Sequence, residues 1–105
     1  MDAIVKDIEK LFEGLVEKFV AECQTSGEKD NLSRLMTKEQ VNQWYVKFDF
    51  AADNEIYHIL QARNMTYVDL ALQAGVYVNE MQVAAVKKFL ARMDVLVIES
   101  DESLN

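Results

Sequence analysis

A chain with no proline and only three glycines, Gly14, Gly27 and Gly75, lacks the punctuation that short strands and tight turns require. A sandwich or barrel is therefore set aside, and the expected fold class is all-α, a compact four-helix bundle. Half of the 105 residues are apolar, and Trp44, four tyrosines and five phenylalanines supply large side chains. That suffices for one core without staples. The expected organisation is a single helical domain over residues 1–98 and an acidic, flexible tail over 99–105.

The apolar spacing places the helices. From Asp2 to Gln24, Ile4, Ile8, Leu11, Leu15 and Phe19 recur at helical intervals, and Val5, Phe12, Val16, Val20 and Cys23 widen the stripe. Residues 25–31 read as a loop. Thr37 and Gln40 form a capping-box pair that opens a second helix near Lys38. Val41, Trp44, Tyr45, Phe48, Ala52, Ile56 and Ile59 stay in phase as far as about Ala62. Asn64 is a stop, and Thr66 with Asp69 repeats the start signal for a short helix to Ala74. Gly75 suits a left-handed position, after which Asn79 and Gln82 are expected to cap a last helix that runs to about Val97.

Residues 66–86, TYVDLALQAGVYVNEMQVAAV, resemble the helix-turn-helix core of the phage-repressor and Xre-like regulators. Ala71 takes the small position where two helices touch and Gly75 sits in the turn. Leu70, Ala74, Val76, Met81 and Ala84 fill the apolar positions. The resemblance covers about a fifth of the chain. It implies a helix-turn-helix-like corner in the C-terminal half, and a DNA-binding transcriptional regulator as the alternative function. In that reading Asn79 and Gln82 meet bases while Lys87, Lys88, Arg92 and Arg63 meet phosphates.

The charge favours a different partner. A formal charge of -7 disfavours polyphosphate, because phosphate contacts depend on Lys and Arg displacing counterions. Residues 61–95 carry four basic side chains against three acidic, whereas residues 1–25 are acidic. One cysteine allows no internal disulfide, and one histidine with one cysteine cannot build a conventional zinc site. No cofactor and no metal are expected. The start of the chain is acidic and amphipathic, and no apolar run approaches the roughly 20 residues that cross a bilayer. A cytoplasmic protein without membrane association is expected.

Catalysis has no constellation to support it. Cys23 lies on the apolar stripe of the first helix, His58 borders the core face of the second, and nothing places them together. Glu9, Glu13 and Glu17 line one strip, but Lys6 and Lys10 intermingle with them as on an ordinary solvated face. The surplus is hydrophobic: Val46, Phe50 and Tyr57 fall opposite the Val41, Phe48, Ala52, Ile59 stripe. One of the two faces is expected to meet the short helix or the segment Leu32, Leu35, Met36, and the other either a second chain or further helices of the same bundle. The expected function is that of a small non-catalytic regulatory or adaptor protein that binds another protein, as a homodimer. Its interface candidates are Val46, Phe50, Tyr57, Phe12, Phe19 and Phe89.

Overall fold

The computed structural model describes residues 2–25 and 35–98, and within these the fold is all-α. The expected loop at 25–31 beyond Thr25, the segment at Leu32 and the acidic tail at 99–105 lie outside the described residues. Four helices, α1 (Asp2–Thr25), α2 (Lys38–Gln61), α3 (Tyr67–Ala74) and α4 (Val78–Arg92), are joined by two short strands. These are β1 (Leu35–Thr37) and β2 (Leu96–Ile98), paired in parallel with Leu35 opposite Leu96.

Helices of this length owe most of their stability to a packed apolar face. In α1 that face is Ile4, Ile8, Phe12, Leu15, Val16, Phe19 and Val20, all buried, with Val5, Leu11 and Cys23 at its margin. The stripe meets Val41, Phe48, Ala52, Ile56 and Leu60 of α2 and Ala85, Val86, Phe89 and Leu90 of α4 in one core. Directions follow from the contacts. Asp7, early in α1, pairs with Arg63 just beyond α2, while Phe19 packs against Trp44 and Phe48 in the first half of α2, so α1 and α2 are antiparallel. Arg92 at the end of α4 reaches Glu17, which sets α4 parallel to α1.

The closed end of the bundle is aromatic. Phe89 lies 4.4 Å from Trp44, 5.7 Å from Phe48 and 6.5 Å from Phe19, centroid to centroid, in tilted and edge-to-face arrangements that suit ring quadrupoles. The Lys47 ammonium sits 4.7 Å from the Trp44 ring and 5.1 Å from Phe19, a cation over the wet rim of the cluster.

Local signals set most helix boundaries. Both capping boxes form: Gln40 N donates to Thr37 Oγ1 (3.2 Å) and Thr37 N to Gln40 Oε1 (2.9 Å), and Thr66 and Asp69 do the same at 3.1 and 2.9 Å. Asn64 is left-handed at φ 56°, and Met65 N reaches back five residues to the Leu60 carbonyl, the closure of a Schellman motif. Gly75 is left-handed at φ 65° with nothing within 4 Å of a would-be β-carbon, so only backbone strain opposes a side chain there. Gly75→Ala is expected to cost about 1 kcal/mol. The left-handed penalty of about 1–2 kcal/mol is partly offset by lost unfolded-state entropy, and urea melts would read the difference.

Two expectations for α4 are corrected. It ends at Arg92, not near Val97: Asp94 turns left-handed at φ 55°, Val95 N closes onto the Leu90 carbonyl, and Leu96–Ile98 become β2. The apolar run Val95 to Ile98 suits a strand as well as a helix, and its β-branched members favour extended backbone once a partner strand is present. Nor do Asn79 and Gln82 cap the helix. Tyr77 is the N-cap and makes no side-chain cap bond, its ring being unable to fold back on the first turn, and Gln82 turns inward.

Candidate functional site

The residues expected to meet DNA are largely committed elsewhere. Gln82 is buried, and its Nε2 donates to the Tyr45 carbonyl at 2.8 Å, so it does not face outward. Arg63 is held by Asp7 at 3.1 Å. Arg92 forms a two-pronged pair with Glu17, which lowers the Glu17 pKa through the hydrogen bond first and the neighbouring charge second. Lys88 shares a shallow depression with Glu9 and Glu13. Lys87 and Asn79 remain exposed. Glu17 of the acidic strip is thus compensated from α4 rather than only by the lysines of α1.

Among the interface candidates, Phe12, Phe19 and Phe89 are corrected: all three are buried in the core and unavailable to a partner. Helical spacing shows that a face will be covered but not by what, and these faces are covered within the chain. Cys23 and His58 fall at opposite ends of the antiparallel α1–α2 pair. Among the described residues no three His, Cys, Asp or Glu side chains converge to hold a metal, and no helix is long and apolar enough to cross a membrane.

Val46, Phe50 and Tyr57 do lie on the surface, Phe50 at 85 % exposure. Neither α3 nor β1 covers them. Their neighbours one helical turn away are Asp49 and Asp53, since residues three and four apart share a helix surface. These two carboxylates line an open cleft of about 320 Å³ between α2, α3 and the start of α4, with Tyr67 and Ala71 contributed by α3. Ala52 and Ile56 of α2 and the run Val76 to Asn79 with Gln82 line the rest. Val68 and Leu72, next to the cleft-lining residues of α3, are also exposed, Leu72 at 79 %. Exposed apolar side chains are thus present on both of the helices that wall the cleft. No match was found among protein-family models, curated proteins or solved structures. The site thus stands on its own geometry.

Tyr67 ties α3 to α2. Its hydroxyl donates to Asp53 Oδ1 at 3.3 Å, and its pKa is raised, first by burial and then by the charges of Asp53 and Asp49. The raised value means the folded state holds this proton more tightly than the unfolded chain. Its contribution to stability is complete below the ordinary tyrosine range and is lost as pH rises through the elevated value. Ring-labelled NMR titration of the four tyrosines is expected to find Tyr67 ionising above its ordinary value, and Asp53→Asn is expected to remove part of that rise, burial keeping the rest.

The signal that could have revealed the acidic half of the site is Asp49 with Asp53. Like charges four apart destabilise a helix by a few tenths of a kcal/mol, and no cation among the described residues is paired with either.

Proposed function

We propose that this chain is a small, non-catalytic, cytosolic regulatory or adaptor protein that acts by binding another protein through the exposed face of α2 and α3. The observation that carries the reading is the number of large apolar side chains left exposed on those two helices. Val46, Phe50 and Tyr57 on one helix and Val68 and Leu72 on the other are each more than half exposed. Scattered single apolar residues need no explanation, but five on the two helices that wall one cleft do.

The proposed occupant is an amphipathic segment of a basic protein. Asp49 and Asp53 lie among these apolar residues with no paired cation among the described residues, and the whole chain carries -7. Charge complementarity of this kind selects partners and speeds encounter. A two-fold dimer through the same face would instead bring each copy's carboxylates towards the other's, and the faces of α1 and α4 that might serve a dimer are occupied by the core.

The test is fluorescence anisotropy with a synthetic amphipathic helical peptide, leucines on one face and arginines and lysines on the other. Saturable binding is expected, with no binding of the same peptide carrying glutamates instead. Light scattering at micromolar concentration is expected to give the mass of one chain. A mass of two chains, disrupted by Phe50→Ser, would overturn the basic-partner reading in favour of self-association.

A further inference from the structure

We infer that α3 is a hinged strap: it swings away from α2 as a unit while α1, α2 and α4 stay packed, and a partner seated on both α2 and α3 holds it shut. The clamping by a partner rests on the protein-binding reading, whereas the swing of α3 does not.

The anchorage of α3 is light. Leu70 is the one buried residue of its eight. Ala74 is partly buried against the core and Ala71 faces the cleft, so a single large side chain holds the inward side. Tyr67, Val68, Leu72 and Gln73 are exposed. Among the described residues the one side-chain hydrogen bond from α3 to another element runs from the Tyr67 hydroxyl to Asp53, and at 3.3 Å it is long for a hydroxyl donor. Asp69 is spent on Thr66 in α3's own capping box. The pairs Asp7–Arg63 and Glu17–Arg92 tie α1 to the end of α2 and to α4, and leave α3 out.

The backbone bends on both sides of α3 and not within it. Asn64 at φ 56° and Gly75 at φ 65° reverse the hand of the chain before and after the helix. Met65 N closes onto the Leu60 carbonyl, which completes α2 ahead of the first bend, and Gly75 N closes onto Ala71, which completes α3 at the second. Each helix thus keeps its own hydrogen bonds, and α3 can leave without breaking those of its neighbours. Hinges of this kind sit at the ends of elements, where a few residues absorb the change in φ and ψ.

There is room beneath the strap. The cleft of about 320 Å³ lies between Tyr67 and Ala71 on one side and Ala52 and Ile56 on the other, while α1, α2 and α4 share one continuous core. Opening exposes Leu70 and no second large buried side chain of α3, so it requires far less than global unfolding. An eight-residue helix has little stability without a packed face, so its amides lose protection together once it leaves.

The test is native-state hydrogen exchange of the ¹⁵N-labelled full chain, read by NMR. The amides of Leu72, Gln73 and Ala74 are expected to share one protection factor, at least about 100-fold below those of Phe48 and Ile56 in α2 and Val86 and Phe89 in α4. Tyr67→Phe, which removes the tie to Asp53 at an exposed position, is expected to lower protection in α3 by about threefold or more and to leave α2 and α4 unchanged. The saturating basic amphipathic peptide is expected to raise protection in α3 by at least about tenfold. Equal protection across α2, α3 and α4, or a Tyr67→Phe variant that changes all three alike, would overturn the strap. A peptide that binds and leaves α3 exchanging as before would overturn the clamp. Exchange of the free protein decides the hinge whether or not the peptide binds, so the strap and the docking reading fail separately.

Discussion

Phe89→Ala is expected to remove about 3–5 kcal/mol of stability, the range for truncating a buried phenylalanine. The whole fold of a domain this size is worth about 5–15 kcal/mol. Phe89 is fully buried and joins Phe19, Trp44 and Phe48, side chains from the other two long helices, so its removal opens a cavity where all three meet. With a urea dependence of about 1.5 kcal/mol per molar, the midpoint should fall by about 2 M or more. Phe89→Leu fills most of the space and should recover more than half of the loss. A midpoint shift below about 0.5 M for the alanine variant would contradict the placement of Phe89 at the centre of the core.

The same loss of an aromatic ring at Phe50 should have the opposite profile. Phe50→Ser, made with Leu72→Ser, is expected to leave the urea midpoint within the equivalent of about 0.5 kcal/mol, because both side chains are already in solvent. Affinity for the basic amphipathic peptide is expected to fall steeply. Burying a phenylalanine or leucine is worth about 1.5–3 kcal/mol, so losing one such anchor at about 2 kcal/mol means about a 30-fold weakening, and the pair more than 100-fold. The two variants change no charge, so general attraction to an acidic protein cannot account for the loss. Undiminished binding by the folded double variant would remove α2–α3 as the docking face.

Features legible in the sequence were those decided within a few residues. Thr37 with Gln40, Thr66 with Asp69, Asn64 and Gly75 each mark a boundary that local hydrogen bonds or backbone hand determine, and each does so in the structure. What escaped was decided across the chain. The pairing of Leu96–Ile98 with Leu35–Thr37 joins segments on either side of α2, α3 and α4, and no local signal separates a four-residue apolar run that ends a helix from one that forms a strand. Gln82 looked available as a cap or a base contact because its acceptor, the Tyr45 carbonyl, lies on another helix.

The candidate site was half legible for the same reason. Val46, Phe50 and Tyr57 stood out as apolar residues opposite a complete core stripe, a surplus that periodicity alone exposes. Val68 and Leu72 did not, because a short helix with Leu70, Ala71 and Ala74 already had a use for its apolar residues in the helix-turn-helix resemblance. Only Leu70 of that helix is fully buried, which leaves Val68 and Leu72 outside. Phe12, Phe19 and Phe89 carried the converse error, since spacing reveals an apolar face without revealing that the chain itself covers it.

The most direct test of the docking face is to map the bound basic peptide on the ¹⁵N-labelled protein by amide chemical shifts. Perturbation is expected at Val46, Phe50 and Tyr57 of α2 and at Val68 and Leu72 of α3, with α1 unaffected. Perturbation centred instead on the acidic strip of Glu9, Glu13 and Glu17 would contradict it.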